Sequence, residues 1–403
     1  MNKKLLAVAV AGVFAAPAAA FAQSSVTISG AITMTVDNVK YSDTAKTTRS
    51  ESRLNDESSS IIFNVREDLG GGMSAIVKVD VKPNPDSGAI AASGESFVGI
   101  STKTAGRFTA GRHNFHFFKT PWDGYGLSGG LKSHPSSLID FAGGGKVAIA
   151  NATRTPNSLM WSSPKWGGFA VDVGYSFNPG GGNTATEIGN AGATEADLTA
   201  GNTARRGRAW MLNPTFSGTN WHIGYSYWNG KPDAPTAVTA TGVPSLAVQL
   251  GSSDQRSDSL YGYYTWGGFK LGLMWNKSKL NAAATAAGLP AVGTQLSNRT
   301  AWSIPIRYSW ANHHILAHYT KARDDKATAA QDGAKMWALM YAYSLSKRTS
   351  VSLSYTKLTN DGNATAGGAG YNLYTNIVLG SANAGTTAGE DVRALIFGVR
   401  HNF

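Results

Sequence analysis

The feature that most constrains this chain is an alternation of apolar and polar residues with a period of two. Val26, Ile28, Ile32, Met34 and Val36 alternate with Thr27, Ser29, Thr33 and Thr35. Phe169, Val171, Val173, Tyr175 and Phe177 alternate with Ala170, Asp172, Gly174 and Ser176. The same pattern runs through Trp221–Tyr227, Phe269–Trp275 and Trp337–Tyr343. A period of two belongs to strands with one apolar and one polar face. The polar faces carry Gly, Ser, Thr and Asn with occasional charges, which suits a water-filled interior. The apolar faces often begin or end in Trp, Tyr or Phe, whose rings suit a boundary between hydrocarbon and water. Beyond residue 22 no apolar run approaches the roughly 18 residues of a membrane-spanning helix. A chain that spans a membrane without helices must close its sheet, so that every backbone group is paired.

Connector lengths turn this pattern into a count. Seven connections are short: Asp68–Gly72, Lys103–Gly106, Pro164–Gly168, Ser217–Thr219, Gly267–Gly268, Ala311–Asn312 and Leu345–Arg348. Most carry Gly, Asn or Pro, the residues of tight turns. Between them lie eight long polar stretches: Asp37–Glu57, Pro83–Gly94, His113–Pro156, Asn178–Arg205, Asn229–Arg256, Asn276–Ser297, Ala322–Gly333 and Leu358–Glu390. Short and long alternate throughout. The expected fold is therefore all-β, a transmembrane antiparallel barrel of about 16 strands with short periplasmic turns and long extracellular loops. A barrel of that size encloses an aqueous channel.

Residues 1–22 read as a cleavable signal peptide. Lys3 and Lys4 precede an apolar stretch, Leu5–Ala16, and Ala20-Phe21-Ala22 supplies a small-x-small cleavage site. Losing Lys3 and Lys4 lowers the formal charge from +11 to +9, and residues 23–403 form the expected barrel domain. There is no cysteine, hence no disulfide framework and no thiolate site. The basic residues are scattered and no recognition helix accompanies them, so nucleic acid is not an expected partner.

Constellations suggestive of chemistry lead nowhere. His314 and His318 share one face, but on a strand their Cβ atoms stand about 13 Å apart, too far for one metal. Gly70-Gly71-Gly72 and Gly143-Gly144-Gly145 lack the Lys-Ser/Thr of a phosphate loop. No metal, cofactor or catalytic residue is expected. A barrel protease or phospholipase would need a rim Ser-His or Asp-His constellation, which no motif supports.

Several segments resemble the trimeric outer-membrane porins of the Burkholderia, Bordetella and Neisseria type. Ser24-Ser25-Val26-Thr27-Ile28-Ser29-Gly30 resembles the family's first strand, and Glu67-Asp68-Leu69-Gly70-Gly71-Gly72 its first turn. Gly111-Arg112 and Arg154 with Asn157-Ser158, Ser163-Pro164 and Gly167-Gly168-Phe169 match the region around its fifth to seventh strands. Ser346-Lys347-Arg348-Thr349 and Gly398-Val399-Arg400-His401-Asn402-Phe403 match its last turn and terminus. The resemblance implies a multi-pass outer-membrane porin for passive diffusion of small hydrophilic solutes and ions. It also implies a homotrimer in outer-membrane lipid and lipopolysaccharide, with a terminal Phe403 read by the barrel-assembly machinery.

The family folds its third loop into the lumen, which places the constriction in residues 113–156. That stretch carries Asp123 and Asp140 with Lys119, Lys132 and Lys146, and its early aromatics (Phe115, Phe117, Phe118, Trp122, Tyr125) are expected against the wall. The family also lines the opposite wall with arginines. Arg112 and Arg154 match two of those places, while the third is Ser60 here. Arg112 lies in the lipid phase of its strand unless Gly111 introduces a bulge. Arg66, Lys78, Asp80, Lys82 and Arg307 share the lumen phase. Charges in a narrow wet pore act on passing ions with little screening. The excess of basic residues implies a weak anion preference; the alternative is a substrate-specific channel for a sugar or an organic anion.

Overall fold

A computed structural model describes residues 24–42, 50–57, 59–116, 131–139, 154–177, 208–231, 253–282, 291–328, 331–362, 371, 373 and 389–403. The signal-peptide expectation lies outside these residues. Eighteen strands run through them in antiparallel succession.

The strands are β1 (Ser25–Tyr41), β2 (Ser50–Asp56), β3 (Ser60–Gly70), β4 (Met73–Asn84), β5 (Ala89–Ala91) and β6 (Ser96–Thr102). They continue with β7 (Gly106–His113), β8 (Thr155–Ser162), β9 (Phe169–Ser176), β10 (Arg208–Ser217), β11 (Trp221–Lys231) and β12 (Ser253–Trp266). The last six are β13 (Phe269–Ala282), β14 (Gln295–Trp310), β15 (His313–Ala322), β16 (Ala334–Ser344), β17 (Thr349–Asn360) and β18 (Asp391–Asn402).

The sheet closes on itself. β1 pairs with β18 from Ala31↔Asn402 to Tyr41↔Val392. Its other edge takes β3 along Ser25–Ala31 and β2 along Met34–Lys40, so β2 and β3 form one barrel strand interrupted between them. β5 is a short rung on the outer end of β4. Eighteen segments thus make the sixteen expected barrel strands. All seven short turns fall where the sequence places them.

The long connectors are shorter than the sequence suggests. β1 continues to Tyr41, β13 to Ala282, and β14 begins at Gln295. In these extensions the outward face turns polar, as at Lys40 and Lys279, so the apolar signal fades while the backbone ladder continues. Apolar patterning marks the hydrocarbon-facing part of a strand, and the sheet itself extends beyond it.

The outward faces are apolar. Val26, Ile28, Val98, Ile100, Leu273 and Phe397 are each about half exposed. Aromatic pairs mark two levels. Near the loop end lie Trp210–Tyr227, Trp302–Tyr319 and Trp337–Tyr355, with ring centroids 4.7, 5.5 and 5.3 Å apart. Near the turn end lie Phe216–Trp221, Phe269–Tyr308 and Tyr308–Trp310, at 5.1, 4.3 and 5.3 Å. Among the described residues every outward Trp and Tyr of the strands belongs to β8–β17.

The terminal residue closes the seam. Gly30 and Phe403 exchange two backbone hydrogen bonds of 3.1 Å, and the Phe403 ring covers Gly30. A Cβ at Gly30 would stand 2.1 Å from the Ser60 carbonyl oxygen, so only glycine fits at this junction.

Candidate pore site

Two stretches of the third connector lie against the inner wall, the first reaching β12 and the second seated on β14–β17. The first follows β7. His113 Nδ1 lies 2.8 Å from Ser158 Oγ and its Nε2 2.8 Å from Thr109 Oγ1. Phe115 is fully buried, edge-on to Trp228 on β11. Its ring fills the space a Cβ at Gly174 would need, 2.4 Å away. His116 bridges two strands, Nδ1 2.9 Å from Ser226 Oγ and Nε2 2.8 Å from Ser257 Oγ. The chain therefore leaves β7 and crosses the inner faces of β8–β12.

The second stretch is residues 131–139, a 3-10 turn followed by the one-turn helix Ser136–Ile139. It touches β14–β17. Leu138 and Ile139 are fully buried, in one cluster with inward-facing residues such as Met274, Leu316, Met336 and Ile396. His318 Nε2 donates to the Ser133 carbonyl at 2.9 Å, and Thr356 Oγ1 donates to Ser133 Oγ at 2.8 Å. Lys132 is 1% exposed. Its Nζ lies 2.5 Å from Glu57 Oε1 and 3.6 Å from Asp37 Oδ1. The first stretch thus ends on β11 and β12 and the second seats on β14–β17, so both lie on one continuous part of the inner wall. Of the expected aromatics Phe115 meets the wall; Phe117, Phe118, Trp122, Tyr125, Asp123, Asp140, Lys119 and Lys146 lie outside the described residues.

The wall across from residues 131–139 carries linked charges. Asp80 is 7% exposed. It pairs with Lys82 at 2.8 Å and accepts a 2.5 Å hydrogen bond from Ser60 Oγ. Lys78 pairs with Glu95 at 2.6 Å, and the other Glu95 oxygen accepts from the Asn114 backbone N–H at 3.3 Å. The serine that replaces an expected arginine thus stabilises a carboxylate. Glu95 was not foreseen: it sits at the edge of a stretch read as loop, directly before the Ser96–Thr102 alternation that would have carried it.

The expected arginines divide. Arg154 precedes β8 with a φ of +63°, half-exposed and within electrostatic range of Lys82. Positive φ in a residue with a Cβ is strained, and strain of this kind gathers at functional positions. Arg112 corrects a sequence expectation. The register shift at Gly111 is present, but the extra residue belongs to β8: Gly111 opposes Ser158 and His113 opposes Thr155. Alternation within β7 therefore continues, and Arg112 keeps the phase opposite to Thr109 and His113. Arg66 is exposed near the periplasmic end. Arg307 faces the lumen with its Nε buried and without a hydrogen-bond partner. Two arginines outside the expected set join it. Arg107 bonds Ser162 Oγ at 3.2 Å and lies over the Phe97 ring, and Arg400 bonds Thr33 Oγ1 at 3.0 Å.

Arg299 is a further inward cation, readable from its phase with Ser297, Ala301 and Ser303. It is 4% exposed, 3.1 Å from Asp325, 2.8 Å from Asp332 and 2.7 Å from the Tyr371 hydroxyl. It ties two outer loops to the wall. His314 and His318 serve as hydrogen-bonding wall residues, His314 with Ser309 and Ser344. Among the described residues no three His, Cys, Asp or Glu side chains gather as a metal site would need.

A closed sixteen-strand sheet with an apolar exterior, aromatic levels and a charged interior against which described parts of the third connector pack is the architecture of a diffusion pore. The Gram-negative porin family model matches residues 7–363. The chain belongs to the Gram-negative porins. It is an outer-membrane, multi-pass β-barrel that forms a channel for passive diffusion. An outer membrane porin protein of Bordetella pertussis is 26% identical over 412 aligned positions, covering 92% of this chain and 99% of the relative. Among solved porins, the anion-selective porin from Comamonas acidovorans superposes with a TM-score of 0.68 at 20% identity, covering 94% of this chain and all of that one. OmpT of Vibrio cholerae, in its trimer form, gives 0.58 at 14% identity, covering 94% and 99%.

Proposed function

We propose that this porin is a general diffusion channel of weak anion preference, narrowed by residues 113–156. The observation that carries the reading is an imbalance of pairing on the lumen wall. Asp80, Glu95, Glu57, Asp325 and Asp332 each have a lysine or arginine partner. Among the described residues Arg107, Arg307 and Arg400 have no carboxylate partner. An unneutralised charge in a low-dielectric passage acts on passing ions at full strength, whereas an ion pair largely cancels. The name of the Comamonas porin agrees with this direction. Arg154, Lys78, Lys82 and Asp80 form the constriction wall of the proposal; Arg66 and Arg307 add to the field toward the periplasm. Arg112 contributes least, given its phase, and Asp123 enters only through its place in the third connector.

The active form is a homotrimer in this reading. The outward faces of β1–β7 lack Trp and Tyr, while β8–β17 carry both aromatic levels. A face without interfacial aromatics is suited to protein contact, and the Vibrio porin bears the description of a trimer. Residues 1–22 act as the export signal, and Phe403 addresses the chain to the assembly machinery.

Single-channel recording in a planar bilayer tests the proposal. Large ohmic steps arriving in groups of three are expected. Small steps blocked by one particular solute would instead identify a substrate-specific channel.

A further inference from the structure

The inner wall of β10–β18 is one-sided in charge. Among the described residues its inward phase holds Lys270, Arg299, Arg307 and Arg400 and no Asp or Glu. Arg299 is neutralised near the loops by Asp325 and Asp332. Arg400 stands apart on β18, bonded to Thr33 and Asn402. Lys270 and Arg307 stand together.

Register sets these two face to face. Lys270 on β13 lies directly opposite Arg307 on β14. Like charges directly opposite each other across a strand pair are destabilising. Lys270 leans toward β12, the side away from Arg307, with its Nζ 3.7 Å from the centroid of the Tyr263 ring. Tyr263 is stacked on His222, ring centroids 5.5 Å apart, and His222 Nδ1 lies 2.8 Å from Ser217 Oγ. A cation–π contact on a braced ring thus seats the ammonium. Arg307 keeps a buried Nε without a hydrogen-bond partner.

Height separates the pair from the third connector. Lys270 follows the Gly267–Gly268 turn by two residues, and Arg307 precedes the Ala311–Asn312 turn by four. At about 3.3 Å per residue both lie within roughly 15 Å of the periplasmic rim. His318, which holds Ser133 of the connector, stands level with Pro305, the next inward position above Arg307. A solute therefore meets the pair on the periplasmic side of the connector.

We propose that Lys270 and Arg307 form a binding site for tetrahedral dianions, phosphate and small phosphomonoesters, at the periplasmic mouth of the pore. A dianion between the two side chains removes their repulsion and gains charge-assisted hydrogen bonds from both. The guanidinium offers a planar fork to two oxygens, and the ammonium a point charge to a third. Two charges on one small centre suit cations held this close, whereas a dicarboxylate spreads them along a chain. A phosphomonoester that has passed the connector dwells at the site, and chloride flow is reduced while it stays. The inference rests on the reading of the lumen as a diffusion path for anions and adds a solute class to it.

Chloride current through the purified full-length porin in a planar bilayer, titrated with inorganic phosphate at about pH 8 where the dianion dominates, tests this. A saturable reduction is expected. Its midpoint should lie at least about tenfold lower for phosphate than for succinate and should rise with salt. Arg307→Gln and Lys270→Gln are each expected to raise the phosphate midpoint about tenfold. Lys270→Arg, which keeps the charge, and Arg400→Gln, which removes an inward cation elsewhere, are expected to leave it within about twofold. Conductance steps in potassium chloride alone show that each variant is folded. Absence of a saturable phosphate effect overturns the proposal, as does succinate acting as strongly as phosphate. So does a wild-type midpoint in Arg307→Gln, or a loss in Arg400→Gln as large as in Arg307→Gln. The zero-current potential without phosphate reads the anion preference separately. Chloride preference with no phosphate effect defeats the site alone, and cation preference defeats the reading of the lumen.

Discussion

Lys132, in the third connector, places its ammonium 2.5 Å from the Glu57 carboxylate on the barrel wall, with both side chains nearly inaccessible. Removing one partner of a buried ion pair leaves an uncompensated charge and costs about 3–5 kcal/mol. Lys132→Met is therefore expected to release the segment that ends at Ile139. Limited proteolysis within the connector and larger current noise in single-channel records would report the release. Combining Lys132→Met with Glu57→Gln should recover part of the loss, with Asp37 accounting for the rest. A single variant as resistant and as quiet as wild type would show that the pair does not hold the connector.

The other anchor depends on an absent side chain. Phe115 occupies the space beside Gly174 where a Cβ would stand 2.4 Å from its ring. Overpacking of this kind costs about 1–3 kcal/mol. Gly174→Ala is expected to lower the heat stability of the barrel, and Phe115→Leu in the same chain should restore part of it. Thermal unfolding followed by circular dichroism measures both.

Arg299 joins loops that are distant in sequence. Asp325, Asp332 and Tyr371 all converge on its guanidinium. Arg299→Leu would strand two buried carboxylates, again a loss of about 3–5 kcal/mol. Outer-loop cleavage by added protease should accelerate while the strands stay protected. Unchanged cleavage would mean that other contacts hold these loops.

How much of this was legible in the sequence follows from what a strand displays. Alternation reports which face a residue occupies, and it puts Lys78, Asp80 and Arg307 on the face opposite the apolar one. Turn chemistry reports where strands reverse, so Gly70–Gly72 and Gly267–Gly268 fell where expected. Alternation does not report pairing partners across strands, which hid the Lys78–Glu95 and Asp80–Lys82 pairs. Nor does it show on which strand an irregularity falls. Gly111 signalled a bulge, yet the extra residue lies in β8, beside Arg154 and Asn157 with their positive φ. The outer ends of β1 and β13 read as loop because their outward faces turn polar, although Val39, Tyr41, Leu280 and Ala282 keep the inward face apolar.

The wall arginines separate by their surroundings. Among the described residues Arg154 and Arg307 have no carboxylate partner, while Lys82 is paired with Asp80. Arg154→Ala and Arg307→Ala are each expected to weaken anion preference and to leave assembly intact. Lys82→Ala should weaken it too, because it leaves the Asp80 carboxylate unneutralised in the pore. Permeability ratios from salt gradients measure all three, and an unchanged ratio in each variant would contradict the wall-charge argument.

The most direct test of the account is the zero-current potential of the wild-type channel in a planar bilayer under a tenfold potassium chloride gradient. Potassium and chloride have nearly equal mobility in water, so the sign reads the wall charge. The account predicts a modest potential of the sign set by chloride passing faster than potassium. A potential of the opposite sign would contradict it.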